Sequence, residues 1–426
     1  MLAFRSREVS TYVHFLRVRF TVHNQAYPSQ WIQRLFPPLA AFGAGGTPAE
    51  CPVSVVIPTR DEERCIARCL DSVVGRGFDN IVVVDTGSVD KTMGIVDGYR
   101  QHGVQLVQLP WPDSFAEVRN FAIETVETGW IVFLDADEWL DEHSSEQLGA
   151  CLASLTGTQD LDRLVFAPII QHVDRDEAIE DVPRIFKADS GIRYRGAVHE
   201  YPVLSGPVDE PVGMVGLDIL FHHDGYDHAV TNGKNKRNRN LGLLRTARKD
   251  DPDNPRWLYF MVRDGLPVLD HAQLLDLRAT LRGLAERDPA TGDRLGARHY
   301  YRRALYVAGQ GLAAKGDWST VYSFCDELDR IDQRDSPDAH YLRSVGELFN
   351  GVPTDRDLLR TMRLRRDEEL VSTSAVDTSG RHLDALIVAL LARFRGAPDA
   401  DRYRKLCAPW TDMFFERSTL RRQSTY

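Results

Sequence analysis

The sequence predicts an α/β domain with a mostly parallel sheet, followed by an all-α domain. Short apolar runs alternate with helical patterns between residues 53 and 134. Each run is apolar throughout, which is typical of parallel strands that are covered on both faces of a sheet. After about residue 230, apolar residues recur at helical offsets to the end of the chain, which indicates a second domain made of helices.

Four runs are predicted to form the parallel strands, and they are Val53–Ile57, Ile81–Val84, Val104–Val107 and Trp130–Leu134. A helical pattern follows each of the first three. From residue 160 to 223, strand-like runs follow one another with turns between them, so we expect an antiparallel edge of the sheet there. These later runs are Leu164–Ile170, Val182–Phe186, Ile192–His199 and Met214–Phe221.

The helical region has a repeat-like pattern. Pro255 and Pro289 begin units 34 residues apart, which is close to the period of a tetratricopeptide repeat. The next comparable proline, Pro337, lies 48 residues further on, so the repeat is irregular. We therefore predict three regions: an N-terminal extension with a Pro/Gly linker over 1–50, the α/β domain over 51–230, and a tetratricopeptide-like domain over 231–426.

Length and composition exclude several classes of protein. The 426 residues suffice for two or three domains, because a single core stops growing near ~250–300 residues. The 62 acidic side chains outnumber the 52 basic ones, and a formal charge of -10 argues against a nucleic-acid partner. The 6 cysteines include no CxxC pair, which favours a reduced, cytoplasmic setting. No run of about 18 apolar residues is present, so we predict no membrane-spanning helix.

The first 36 residues differ in character from the rest. They carry Arg5, Arg7, Arg17, Arg19 and Arg34 against the single acid Glu8, with apolar residues between them. Such a basic amphipathic segment suits peripheral binding at the inner face of a membrane. The alternative is an arm that packs on the main domain with its Arg head groups in water. The sequence leaves both interpretations open.

Polar clusters follow three of the predicted parallel strands: Pro58–Glu62, Asp85–Asp90 and Asp135–Glu138. Ligands of such sheets bind beyond the carboxyl ends of the strands, so the three clusters are predicted to meet at one edge. Asp135 and Asp137 would point the same way from extended chain, roughly 6–7 Å apart. Two carboxylates beside phosphate oxygens suit a hard cation such as Mg²⁺. The ordinary alternatives are a solvated strand end for the two aspartates and a helix-capping turn for Asp85–Asp90.

Four segments in order carry a family resemblance, and they are VSVVIPTRDEERCIARCLDSV, IVVVDTGSVDKT, SFAEVRNFAIETVETGWIVFLDADE and YRGAVHEY. Together they resemble the family 2 inverting glycosyltransferases of GT-A fold, a Rossmann-like fold. The pattern is similar to that of bacterial lipopolysaccharide-core transferases and of peptide S-glycosyltransferases with a tetratricopeptide-like tail. The resemblance covers about residues 52 to 240.

The resemblance implies roles for individual residues. Asp137 would be the principal metal ligand, Asp135 would face the ribose or the ion, and His223, next to His222, would complete the metal site. Arg119 and Asn120 would lie near the ribose or the phosphates. The remaining residues implied in nucleotide-sugar binding are Pro58, Thr59, Arg60, Glu62, Asp85, Ser88 and Ala136.

The catalytic base has three candidates. Inversion needs a group that removes the acceptor proton while a metal neutralises the departing diphosphate. Glu200, in the segment VHE, is the first candidate, and Asp181 is the rival because Glu180-Asp181 resembles an acid pair used elsewhere in the larger family. His199 is expected to point to the opposite face of its strand from Glu200.

The sequence as a whole predicts a metal-dependent inverting glycosyltransferase of hexosyltransferase type that uses Mg²⁺ or Mn²⁺. We expect a nucleotide-sugar donor, a UDP-sugar first, and an acceptor that the sequence does not identify, whether glycan, lipid, peptide or natural product. The alternative is a catalytically idle GT-A domain that serves as a binding scaffold through its helical repeats. A basic run suits either a solvated helix or the sugar diphosphate, and it consists of Lys234, Lys236, Arg237 and Arg239. A homo-oligomer is left open.

Overall fold

The computed structural model describes residues 10–13, 16–19, 51–155, 161–173, 178–224, 236–287, 296–332, 335–408, 410, 412 and 414–415. Contacts divide the chain into two compact units, residues 1–247 and 248–426. Most of the predicted N-terminal extension and linker, together with Lys234 and Pro289, lies outside the described residues.

A sheet of nine strands forms the centre of the first unit. Its strands are β3 (Val53–Thr59), β4 (Asn80–Asp85), β5 (Val104–Gln108), β6 (Trp130–Phe133), β7 (Glu138–Leu140), β8 (Leu164–His172), β9 (Ala178–Ile179), β10 (Ile185–Lys187) and β14 (Gly213–His223). The order is β5-β4-β3-β6-β10-β8-β14-β7, with β9 paired to β8. The helices of this unit are α1 (Ile66–Asp71), α2 (Thr92–Asp97), α3 (Phe115–Thr125) and α4 (Glu142–Leu155), and α5 (Lys236–Asp250) spans the division.

Strand directions determine which residues meet at each edge. β3 is parallel to β4 and β6, and β14 is parallel to β8, whereas β10 is antiparallel to both β6 and β8. Because β10 is antiparallel to both of its neighbours, β8 and β14 run in the same direction as β6. One edge therefore collects the carboxyl ends of β3, β4, β6, β8 and β14 with the starts of β7 and β10. We call it the ligand edge.

The predicted fold class is confirmed, with two differences in detail. The later strands do not form one antiparallel edge, because β8 and β14 are parallel and β10 lies inside the sheet. The predicted strand 192–199 is also shorter, and it leaves the main sheet. β11 (Ile192–Arg195), β12 (Tyr201–Leu204) and β13 (Glu210–Pro211) form a separate three-stranded sheet. β11 stops because Gly196 and His199 have φ values of 96° and 54°, in the left-handed region that interrupts a strand.

Burial on both faces explains the continuous apolar runs. Along β3, Val55 and Ile57 face a core that includes Leu148 of α4, and Val56 faces a second core that includes Ala122 and Ile123 of α3. Because neighbouring residues of a strand point to opposite faces, a sheet covered on both sides needs apolar residues at every position.

A short strand pair precedes the sheet. β1 (Ser10–Val13) and β2 (Leu16–Arg19) are antiparallel, and β2 lies near β14 and α4. Its position suits the arm interpretation of the N-terminal segment. The choice between arm and membrane contact remains a prediction.

The second unit contains nine described helices after α5: α6 (Pro255–Gly265), α7 (His271–Arg287), α8 (Ala297–Ala314), α9 (Trp318–Asp332), α10 (Pro337–Phe349), α11 (Asp355–Arg366), α12 (Glu368–Val371), α13 (Arg381–Phe394) and α14 (Ala397–Arg404). Helices that follow one another in sequence pack together, for example α6 with α7 and α8 with α9. Pro255 and Pro337 stand at the first turns of α6 and α10, where the missing N–H costs no hydrogen bond. Asn254 and Ser336 cap these helices by accepting backbone N–H bonds. In the described part of the chain, no helix has the length and apolar character needed to cross a membrane.

Gly129 fixes the entry to β6. Its φ is 90°, and a Cβ atom here would collide with the backbone oxygen of Pro52. That same oxygen accepts a hydrogen bond of 2.7 Å from the N–H of Trp130. β3 and β6 therefore approach each other at a point that only glycine permits.

We predict that Gly129→Ala lowers the free energy of unfolding by about 2–3 kcal/mol, because both the backbone strain and the collision must be relieved. Gly149→Ala is the matched control, since Gly149 lies inside α4 and a Cβ there meets nothing within 4 Å. Urea titration followed by circular dichroism measures both. We expect the control to be neutral or stabilising by up to about 1 kcal/mol. Equal effects in the two variants would contradict this account of Gly129.

Candidate active site

Three loops meet at the ligand edge. Loop A (60–65) follows β3, loop B (86–91) follows β4, and loop C (134–137) joins β6 to β7. The sequence predicted that polar clusters at these positions lie together. The backbone hydrogen bonds from Thr86 N to Thr59 O, 3.0 Å, and from Leu134 N to Val56 O, 3.0 Å, hold the loop starts against β3.

Loops A and B are joined through their side chains. The N–H of Asp61 donates to Ser88 Oγ at 2.9 Å, and the N–H of Val89 donates to Asp61 Oδ1 at 2.8 Å. The N–H of Glu62 donates to Thr92 Oγ1 at 2.8 Å. Asp61 has a φ of 53°, a value that Asp tolerates better than most residues. These hydrogen bonds therefore hold loops A and B together on one side of the site.

Asp85 and Ser88 shape loop B from inside. Asp85 Oδ1 accepts the N–H groups of Gly87 and Ser88 at 3.0 Å each, and Asp85 Oδ2 accepts the Ser88 hydroxyl. Asp85 is only 1% exposed. These contacts hold the turn of loop B together and do not cap α2, whose N-cap residue, Lys91, makes no side-chain capping bond.

Thr59 and Pro58 lie at the end of β3, Thr59 buried and Pro58 half-buried. Thr59 Oγ1 is buried and, among the described residues, has no hydrogen-bond partner. Arg60 is exposed and lies 3.9 Å from the carboxylate of Asp61. Glu62 is half-buried, and Glu62 Oε2 accepts a bond from the Cys65 thiol.

Two buried arginines organise loop C. Arg184 donates from one terminal nitrogen to Asp135 Oδ2 at 2.5 Å and to Glu138 Oε1 at 2.9 Å. Arg119 donates to Asp135 Oδ1 at 3.1 Å and, from Nε, to Glu200 Oε1 at 2.8 Å. The second oxygen of Glu138 accepts the N–H of Asp135 at 3.0 Å. We call these five residues the arginine–carboxylate network.

The charges of the network are set by their neighbours. Burial raises the pKa of Asp135, but the guanidinium groups of Arg184 and Arg119 outweigh it and hold that pKa below its usual range. Burial raises the pKa of Glu138 above that of an exposed Glu, with Arg184 opposing the shift. Asp135 is therefore an anion at neutral pH, and both of its oxygens are held by arginine. These contacts suit an organising role in the network better than the role of a metal ligand.

Asp137 points to another partner. Its Oδ2 lies 3.5 Å from His223 Nε2, and His223 Nδ1 lies 3.0 Å from His172 Nδ1. Burial lowers the pKa of His223, but the hydrogen bond with Asp137 and the nearby carboxylates raise it above its ordinary value overall. His222, one residue earlier, pairs instead with Asp141 at 3.4 Å and packs on Trp139. Of the two histidines, His223 is therefore the one that lies beside Asp137, and its role as a metal ligand stays a prediction.

The other predicted site residues lie in different surroundings. The Asn120 amide donates to Tyr194 O at 3.0 Å and accepts Tyr194 N at 2.8 Å, so it fastens α3 to β11 and its side chain is not turned to a ligand. Ala136 is buried within loop C. Asp181 is exposed and precedes β10. His199, with its left-handed backbone, lies in the turn before Glu200.

Sequence reasoning missed Arg184 and Glu138 as members of the network. The only sequence signal for Arg184 was its position directly before an apolar run.

The side chains of Asp137 and His223 can be compared with the donors that a divalent cation requires. One carboxylate and one imidazole nitrogen, 3.5 Å apart, are donors that Mn²⁺ or Mg²⁺ accepts when phosphate and water oxygens supply the rest. Within the described ranges, no group of three or more His, Cys, Asp or Glu side chains has the arrangement of a complete metal site. Asp137 and His223 would therefore supply two of the donors that a divalent cation needs.

The fold and its ligand edge define a Rossmann-like α/β domain with an acidic loop beyond its central strands. Residues 54–152 match the family model described as Glycosyl transferase family 2. The matched segment runs from β3 into α4 and includes loops A, B and C. This segment thus matches the family that the sequence resembles, and the predicted resemblance is confirmed over it.

Several known proteins are similar to parts of the chain. The SPbeta prophage-derived glycosyltransferase SunS of Bacillus subtilis is 29% identical over 210 residues, which cover 49% of this chain and 48% of that protein. The lipopolysaccharide core biosynthesis glycosyltransferase LpsC of Rhizobium meliloti is 33% identical over 105 residues, or 24% of this chain and 38% of that protein. The chain spans less than half of the length of either relative. A crystal structure of S. aureus TarS 1-349 aligns with 85% of this chain and 94% of that one, at 14% identity and a TM-score of 0.33.

We predict that Arg184→Met lowers the free energy of unfolding by about 3–5 kcal/mol, because it leaves Asp135 and Glu138 without their shared cation. Arg195→Met is the matched control. Arg195 also makes a two-contact ion pair, with Asp209, but its side chain is 38% exposed, so its loss should cost about 1 kcal/mol or less. Urea unfolding of both variants measures the difference. Similar losses in the two variants would mean that the buried network contributes little to stability.

Proposed function

We propose that the protein is a metal-dependent inverting glycosyltransferase that moves a sugar from a nucleotide-sugar donor, a UDP-sugar first, to an acceptor. The observation that carries the proposal is the link through Arg119, which joins Glu200 to Asp135 at the edge where Asp137 lies. It supports the proposal because it brings a candidate base beside a candidate cation site, within a unit that carries a family 2 domain. The names of the relatives SunS and LpsC, both glycosyltransferases, agree with this activity.

Asp137 and His223 would hold the Mn²⁺ or Mg²⁺ ion. When bound there, the ion would supply charge neutralisation for the departing diphosphate. Asp135 takes another part: its carboxylate, fixed by Arg119 and Arg184, holds loop C in place so that Asp137 is presented to the ligand edge. Most of the orientation is thus complete before any ligand binds, which reduces the cost of ordering the site.

Glu200 is the proposed base. Arg119 fixes Oε1, and in the described part of the chain Oε2 has no hydrogen-bond partner, so one oxygen remains to accept the acceptor proton. Asp181 stays as the rival, but its exposed position offers no comparable orientation. His199 would shape the turn that presents Glu200, since its φ of 54° redirects the chain there.

The donor nucleoside would bind against loops A and B. Pro58, Thr59, Arg60 and Glu62 line the end of β3, and the orphaned Thr59 hydroxyl is a group that a ligand atom would satisfy. Asp85 and Ser88 would act indirectly by holding the shape of loop B. Arg239 stacks over Phe115 at 5.0 Å and is placed within the first unit, so it is the member of the basic run that we propose for the diphosphate.

The helical unit would recruit or orient the acceptor. Its packed sequence-adjacent helices resemble a tetratricopeptide array in general form, and such arrays offer extended binding surfaces. The acceptor class stays open between glycan, lipid, peptide and natural product.

A panel of nucleotide sugars with Mn²⁺ or Mg²⁺ tests the proposed function. Donor hydrolysis and thermal shift are measured for each pair, with EDTA as the control. We expect one donor to raise the melting temperature only with metal present. A panel without any stabilisation, or turnover that EDTA leaves unchanged, would favour the idle scaffold or a metal-free mechanism.

Glu200→Gln should reduce turnover by about 10²–10⁴-fold, the range of a lost general base, and leave the donor Kd within about twofold. Asp181→Asn is the matched carboxylate control and should retain activity. Initial rates and calorimetric binding of the donor measure the two quantities. Full activity in Glu200→Gln together with loss in Asp181→Asn would transfer the role to Asp181.

His223→Gln and Asp137→Asn should each lower the apparent affinity of the donor complex for the metal by at least about tenfold. Loss of even an outer-shell partner of a metal ligand typically costs about 10–100-fold. His222→Gln is the control, because His222 is the neighbouring residue and pairs with Asp141 at nearly the same distance, 3.4 Å against 3.5 Å. Manganese titration followed by differential scanning fluorimetry measures the affinity. A loss in His222→Gln equal to that in His223→Gln would remove the assignment of His223.

A further inference from the structure

The chain has six free cysteines, and five of them are in unreactive surroundings. Burial raises the pKa of Cys151 to about 11 and that of Cys325 to about 12. Burial also raises the pKa of Cys65 and of Cys69 above the ordinary value. Cys407 is half-buried and donates to Tyr403 O at 3.3 Å, and burial raises its pKa as well. Since the thiolate is the reactive form, these five thiols are poor nucleophiles.

Cys51 has a different neighbour. It is half-buried, and its Sγ lies 2.9 Å from the Nζ of Lys187. A cation in contact with the sulfur is the setting typical of reactive cysteines. Lys187 is held in place, because its side chain is 15% exposed and its Nζ lies 3.9 Å from Asp189 and 5.7 Å from the centre of the Trp130 ring. A nucleophilic sulfur and an amine thus stand in contact with each other.

The pair lies away from the candidate active site. Cys51 precedes β3, and Lys187 ends β10 opposite Trp130, the first residue of β6. These positions belong to the edge where the parallel strands begin, whereas loops A, B and C lie where those strands end. Neither residue takes part in the proposed transfer reaction.

We propose that Cys51 and Lys187 form an oxidation site that hydrogen peroxide converts into a covalent sulfur–nitrogen cross-link. The Cys51 thiolate attacks one peroxide oxygen, the O–O bond breaks, and the departing hydroxide takes a proton from the Lys187 ammonium and leaves as water. The neutral Nζ then attacks Sγ of the sulfenic acid. The S–O bond breaks and a second water leaves with a proton from nitrogen, so the linked chain has lost two hydrogens.

The cross-link would join residues that are 136 positions apart in the chain. It would fasten the start of β3 to the end of β10, two strands that both lie beside β6. Such a link restricts the unfolded chain as a disulfide does, so the oxidised protein should melt at a higher temperature than the reduced one.

Mass spectrometry of the full chain treated with hydrogen peroxide tests the proposal. We expect a mass loss of two hydrogens, a peptide that joins residues 51 and 187, and modification of Cys51 at least about tenfold faster than that of Cys407, the other half-buried thiol. Dithiothreitol should reverse the link. Equal rates at Cys51 and Cys407, or no joined peptide, would overturn the proposal.

Two variants at position 187 separate the steps. Lys187→Arg keeps a cation but removes the amine, so Cys51 should be oxidised at a rate within about threefold of the wild type, and dimedone should trap its sulfenic acid without any link. Lys187→Met removes the cation, and the rate at Cys51 should approach that at Cys407. If Lys187→Met oxidises as fast as the wild type, the lysine has no part in the reactivity. Far-UV circular dichroism checks folding, and the comparison of Cys51 with Cys407 in the wild type does not depend on either variant.

Discussion

The first unit depends on ion pairs between two buried arginines and three carboxylates. Arg184 joins Asp135 to Glu138, and Arg119 joins Asp135 to Glu200. These contacts connect loop C, β7, α3 and the segments that precede β10 and β12. Removing so many charges from water is costly unless each is paired, so losing one of the arginines leaves buried carboxylates without their cation.

The network also explains why the two aspartates of loop C have different surroundings. Two aspartates separated by one residue have different surroundings, because the first is surrounded by guanidinium groups and the second faces an imidazole. The first aspartate sets the position of the loop, and the second keeps its carboxylate toward the open edge. Two acids one residue apart thus have different partners, which their spacing in the sequence does not reveal.

Local patterns predicted much of this structure. The apolar runs located β3, β4, β5 and β6, because their burial on both faces leaves a continuous signal, and the polar clusters after them do meet at one edge. Strand direction left no such trace: Ile185 and Phe186 of β10 are apolar and buried like the residues of β6, yet the strand runs the other way. The partners of Arg119 are also invisible locally, since Glu200 lies 81 positions further along the chain. The contacts of Asn120 with Tyr194 are hidden for a similar reason, because its partner strand, β11, belongs to a separate sheet.

The reversed direction of β10 has a wider consequence. β8 ends at the ligand edge and β10 begins there, so both ends of the connection between them lie on that side of the sheet. Insertions at residues 180–183 would alter the surface on that side without shifting the pairing of β6, β8 or β10, whereas Arg184 has to stay because it holds Asp135 and Glu138. The sheet therefore separates a buried framework from a short surface segment in which changes carry less structural risk.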